Sequence, residues 1–212
     1  MADLERKIEE RIAYEIEQAR LKAEAERKRR EAEAAKKAKT TKSSGGKGTT
    51  QAATPSAPAK TNSTPSAWMT SEDKALSGSF ESNKGRLPVP ITGNYMITRR
   101  FGKYTPEGMK GVVLDNKGVH YAGQSGARAR SIYDGVVTAI VDAGGRKHVL
   151  IRHGAYISAY INLSSVIVTQ GQKVRARDLI GAVAQDASGS HTLQFQLRRE
   201  RTLLNPASWI GR

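Results

Sequence analysis

An all-β antiparallel domain behind a long charged helix is the architecture this sequence predicts, and three observations carry the prediction. Residues 91–212 run as short alternating apolar stretches punctuated by turn residues, with no helical periodicity between them. Residues 3–39 contain neither glycine nor proline and are dominated by Ala, Glu, Lys and Arg. Residues 40–67 are Thr, Ser, Gly, Lys, Ala and Pro with almost nothing to bury.

Three segments follow: a charged helix or coiled-coil end over 1–39, a flexible linker over 40–87 with a short helix at 71–83, and the β domain over 91–212. In the first, Leu4, Ile8, Ile12 and Ile16 recur every four residues, continued by Ala19 and Ala23. This makes one apolar stripe that fades after Leu21 into a rod of paired charges such as Glu24 and Lys28. Such a helix is the end of a coiled coil, an arm that docks on something, or a charged spacer. In the second, Ser71 is placed to cap the short helix, with Glu72 and Asp73 in its first turn.

Within the β domain, residues 129–133 precede Asp134-Gly135, which reads as a hairpin turn into a strand over 136–141. Gly144-Gly145 separates that strand from 147–152, and His153-Gly154 precedes 155–160. The last strand, from Ser190, places Leu193, Phe195 and Leu197 on one face and Thr192, Gln194, Gln196 and Arg198 on the other.

The 212 residues carry no cysteine, which excludes disulfides, thiolate metal sites and a cysteine nucleophile. No apolar run is long enough to cross a bilayer, and Met1 does not begin a secretory signal. The protein is therefore intracellular, or the sequence begins after its signal. The formal charge is +15, of which 17 Lys and Arg against 7 Asp and Glu, +10, fall in residues 91–212. A basic surface seeks an anionic partner. Nucleic acid is disfavoured, because the aromatic fraction is 6% and no basic–aromatic stacking platform is present.

An ordered set of residues then points to a family. Gly111, Ala129, Asp134-Gly135, His153-Gly154, Tyr160-x-x-Leu163, Val168-x-x-Gly171, Val174, Ile180-Gly181 and Leu204-Asn205-Pro206 resemble the LytM-type (lysostaphin-type) zinc endopeptidases, which cut peptide cross-links in bacterial walls. The resemblance implies an antiparallel sheet of the duplicated hybrid motif kind. Active members hold zinc through H-x-x-x-D and the second His of an H-x-H strand, with further histidines as bases. Carried over, H-x-x-x-D falls on Met109 to Val113, the Tyr-Ala-His-Leu histidine on Asn162, and H-x-H on Thr192 to Gln194. Val cannot donate to Zn²⁺, and amides and hydroxyls are poor substitutes, so no zinc cofactor is expected. His153 reads as structural. His191 points away from the H-x-H face, and His120 and His148 have no carboxylate partner.

A degenerate domain behind a helical arm resembles the EnvC-type murein hydrolase activators. The expected protein is then non-catalytic. Its metal-free groove, lined by Met109, Lys110, Val113, Tyr160, Asn162, Thr192, Gln194, Gln196 and Arg198, binds the autoinhibitory segment of a cell-wall amidase. In that group the helical segment connects to the division machinery or restrains the groove. Peptidoglycan is a further expected partner, and the location is periplasmic or otherwise extracytoplasmic, with the export signal outside this sequence. Two alternatives stand beside this reading: an active zinc endopeptidase with non-standard ligands, and a passive wall-binding module.

Overall fold

The structure is a computed structural model that describes residues 2–41, 69–105, 111–186 and 189–211, with side chains in the first segment described for residues 5–34. The chain divides into two compact units, residues 1–16 with 71–212, and residues 17–70. Met109 and Lys110 of the expected groove, and most of the expected linker, lie outside the described residues.

Helix α1 spans Ala2–Thr41, and α2 spans Ser71–Ser82 with Glu72 and Asp73 in its first turn. Twelve strands follow among the described residues: β1 Tyr95–Arg99, β2 Gly102–Tyr104, β3 Leu114–Asn116, β4 Val119–Gly123, β5 Arg128–Arg130 and β6 Gly135–Ala143; then β7 Arg146–His153, β8 Tyr156–Val166, β9 Lys173–Val174, β10 Leu179–Val183, β11 His191–Arg199 and β12 Thr202–Leu204. The main sheet has the order β1-β4-β11-β8-β7-β6-β9, with β10 joining β5 to β8 and β12 beside β11, while β2 and β3 form a separate pair. Every named strand pair is antiparallel, as the alternating pattern predicts.

Period-two alternation on β11 sorts the sheet into two faces. Leu193, Phe195 and Leu197 are fully buried on one, where Phe195 meets Tyr160 with ring centroids 5.3 Å apart. Gln194, Gln196 and Arg198 lie on the other, in register with Ile161, Ala159 and Ile157 of β8.

One turn differs from its sequence reading. Asp134-Gly135 is not a hairpin, because β5 pairs with β10 and β6 pairs with β7 and β9. Glycine is needed at 135 for a different reason: a Cβ there would lie 2.4 Å from the Arg152 carbonyl oxygen. Gly144-Gly145 is the true hairpin turn between β6 and β7, with φ of 61° and 69° that suit a type I′ turn.

Helix α2 belongs to the folded unit rather than to a linker. Its Phe80 is fully buried and stacks on Tyr156 at 4.6 Å and on His153 and Trp209 at 5.3 Å each. His153 is structural, as expected. Its Nδ1–H donates to the Asp134 carbonyl at 2.7 Å, and its Nε2 accepts from the Ser158 hydroxyl at 2.8 Å. Burial pushes its pKa down to about 4, from 6.5. The unfolded chain therefore binds the extra proton between those values, so stability is fully present above pH 6.5 and falls as pH drops toward 4. The loss from this group is about 3 kcal/mol. Urea unfolding from about pH 7 to pH 4 should show that slope, and a His153→Gln chain should have a flatter one.

Candidate functional site

The second face of the sheet is covered by the chain itself. Ile8 and Ile12, one turn apart on α1, are buried in a cluster with Ala139, Leu150, Ile157, Ala159 and Ile161, with Ile16 and Val141 at its edge. The four-residue stripe legible in the sequence thus has a concrete partner, the groove face of β6, β7 and β8. Each isoleucine removed from water contributes about 1.5–3 kcal/mol.

Charge flanks this apolar seat. Lys117 Nζ donates to Glu5 Oε2 at 2.8 Å and lies 3.7 Å from Glu9 Oε1, and Arg198 Nη2 lies 3.7 Å from the same Glu9 oxygen. Arg152 Nη1 donates to the Glu15 carbonyl at 3.3 Å. The Arg198 side chain is only 6% exposed. Its pKa is drawn below the ordinary value by burial, against the opposing pull of Glu9 and Glu5. Glu9 is itself half exposed, so this pair adds on the order of 1 kcal/mol. The isoleucines hold the helix; the charges set where it lies. Buried nearby, Arg198 Nε and Gln196 Oε1 have no hydrogen-bond partner among the described residues.

The expected groove residues are distributed as follows. Thr192, Gln194, Gln196 and Arg198 alternate onto one face of β11. Tyr160 does not: it is directly opposite Phe195 in the core, and its hydroxyl accepts the Ile132 N–H at 3.0 Å. Alternation along β8 gives Ala159 and Ile161 to the groove and Tyr160 to the other side. Asn162 has φ of 75°, and its Nδ2 donates to the carbonyls of Thr192 at 2.7 Å and Ala184 at 3.1 Å, so its amide ties β8 to β11 and to the end of β10 rather than standing free. The Thr192 hydroxyl donates to Asp186 Oδ2 at 2.7 Å. Val113 is 61% exposed beside β3, outside the main sheet.

Two residues here lie outside the expected groove set. His120 is directly opposite Gln194 on β4, and its ring contacts Asn116, four residues earlier, at 3.1 Å. Between them Gly118 permits a close approach, since a Cβ there would lie 2.3 Å from the Phe195 carbonyl oxygen. Residues 115–206 match Peptidase family M23. The domain belongs to that family.

The chain is 30% identical to the murein hydrolase activator EnvC of Escherichia coli over 149 residues, covering 68% of this chain and 34% of EnvC. It is 35% identical over 133 residues to an uncharacterized protein of Neisseria meningitidis, covering 62% of this chain and 21% of that one. Helicobacter pylori Csd3 has the same fold, at 27% identity and a TM-score of 0.50, covering 59% of this chain and 35% of Csd3. The chain thus spans about a third or less of the length of the two curated relatives.

The M23 match begins at residue 115, beyond the 109–113 positions expected for H-x-x-x-D. Geometry moves them to Asn116-x-x-x-His120, which has the required spacing and stands beside Gln194. Zinc needs imidazole or carboxylate donors here. This site offers one imidazole and two amides, and the imidazole is engaged. Asn116 Nδ2 donates to the carbonyls of Arg100 and Gly118, both at 2.7 Å, which leaves Oδ1 to accept from His120 Nε2–H. That nitrogen has no lone pair for a metal. Burial, with Arg99 nearby, lowers the His120 pKa to about 4, so the ring is neutral at physiological pH. Among the described residues no three of His, Cys, Asp and Glu converge as a metal cluster. The residues present do not fit the zinc ion of M23 peptidases.

Proposed function

We propose that this chain is a non-catalytic activator of peptidoglycan amidases, acting outside the cytoplasmic membrane in cell-wall remodelling or cell separation. The observation that carries the reading is the seating of α1: the face corresponding to a hydrolytic groove binds an amphipathic helix through Ile8, Ile12 and the Glu9–Arg198 pair. A surface that receives one helix by two aliphatic anchors and flanking acids can receive another of the same chemistry.

The amidase segment that occupies the groove must displace residues 5–16 of α1, so the covered form is the resting form. Its release exposes Arg198, Lys117 and Arg152 to carboxylates and backbone carbonyls of the incoming segment. The likeness to the murein hydrolase activator EnvC supports an activating role with a cell-wall hydrolase as partner. Mixing the purified chain with wall amidases and dye-labelled peptidoglycan tests it. Dye release should require both proteins, and release by the chain alone would contradict the reading.

A further inference from the structure

Around β5 and the β9–β10 turn, where Gly181 of β10 is in register with Val166 of β8, lies a second surface that includes none of the expected groove residues. Arg128 and Arg130 on β5, Lys173 on β9, and Arg175 and Arg177 in the turn after it carry five positive charges. The backbone ties the four arginines into one patch, with Lys173 on the neighbouring strand opposite Val136 of β6. Arg177 N–H donates to the Ser131 carbonyl at 2.8 Å, Arg130 is in register with Leu179 of β10, and Arg128 is in register with Ala182. None of the five has an ion pair among the described residues. The two acids within the patch bond the backbone, with Asp134 Oδ1 accepting Ala176 N–H at 2.8 Å and Asp178 Oδ2 accepting Arg175 N–H at 2.8 Å, and five cations against these two acids leave a net charge of +3.

Two aliphatic side chains stand exposed within this basic surface. Ile167 is 59% exposed and Leu179 36% exposed, and they are brought together where Ile167 N–H donates to the Ile180 carbonyl at 2.9 Å. Isolated arginines on a sheet rim are ordinary solvated charge. Exposed aliphatics ringed by arginines without acidic partners are the composition of an interfacial anchor, in which the charges meet headgroup phosphates and the apolar tips enter the acyl boundary. A water-soluble polyanion would gain nothing from Ile167 and Leu179.

We infer that Arg128, Arg130, Lys173, Arg175 and Arg177, with Ile167 and Leu179, form a docking surface for an anionic phospholipid bilayer. The inference is independent of the groove. It gives the β domain a means of being held at a membrane while the face under α1 remains free for a protein partner.

Flotation of the full chain with vesicles of phosphatidylcholine alone, or with about 30% phosphatidylglycerol to supply anionic surface, tests the inference, with heparin binding as the soluble comparison. The chain should float with the anionic vesicles only, and less as salt rises. The double variant Arg175→Gln/Arg177→Asn, whose asparagine tolerates the left-handed φ of 73°, should lower partitioning about twenty- to thirtyfold. Ile167→Ser/Leu179→Ser should weaken vesicle binding severalfold and leave heparin binding unchanged. Thermal melts confirm that these surface variants fold. Three outcomes would overturn the inference. The arginine variant floats like the parent; or the aliphatic variant floats like the parent while the arginine variant loses vesicles and heparin alike, which makes the patch a polyanion site; or the loss appears only when Lys28, Arg29 and Arg30 of α1 are neutralised.

Discussion

Replacing Ile8 and Ile12 with aspartate should raise amidase activation at limiting protein by at least about tenfold. The two side chains supply on the order of 3–6 kcal/mol of apolar burial to the covered state, and a buried carboxylate in their place adds a desolvation cost. Either effect shifts the equilibrium toward the uncovered groove, and activation follows the uncovered fraction. The β domain should stay folded, because its core of Tyr160, Leu193, Phe195 and Leu197 lies on the opposite face. Dose–response curves of dye release, with thermal melts of the same preparations, measure both. Unchanged activation by a folded variant would mean that α1 does not limit access to the groove.

Arg198→Glu should have the opposite consequence, and it is best read in the opened Ile8→Asp/Ile12→Asp background. In the native chain the reversed charge would also face Glu9, so loosening of α1 and loss of partner binding would be mixed. With α1 already released, only the effect on the partner remains. A desolvated charge that meets a carboxylate is worth about 2–5 kcal/mol when reversed or truncated, so activation should fall about 100-fold. Lys117→Ala should cost far less, about threefold, since that ammonium is more exposed and its ion pairs are screened. Equal effects of the two would contradict the reading of Arg198 as the desolvated charge beside the apolar seat.

Much of the fold was legible in the sequence because its signals are local. Alternation named the inward residues of β11, the Gly144-Gly145 pair marked a hairpin, and the run of helix formers with an i,i+4 stripe marked α1 and the side chains by which it docks. What that stripe docks on was not legible. An apolar stripe says that something covers it, and only the tertiary structure shows that the cover is Leu150, Ile157, Ala159 and Ile161 of the same chain.

The candidate site failed in the sequence where its definition is non-local. The metal motif was placed at 109–113 because its His and Asp are replaced, by Asn116 and His120, and no longer mark it. Its position at Asn116 and His120 is set by the cross-strand register with Gln194 and by the approach that Gly118 permits. Tyr160 was assigned to the groove from its motif, whereas strict alternation along β8 already sends it to the core. Asn162 departs from that alternation through its positive φ, a conformation asparagine tolerates and strand patterns do not foresee. Asp134-Gly135 looked like a turn because a glycine needed for close approach and a glycine needed for positive φ are the same letter.

Zinc content tests most directly whether the groove is a contact surface. After purification, equilibration with zinc and removal of loosely bound ion, elemental analysis should find no stoichiometric zinc, because Asn116 and Gln194 are amides and the His120 nitrogen facing Asn116 carries its proton. About one zinc per chain, lost on substitution of His120, would contradict the account and return this domain to the metallopeptidases.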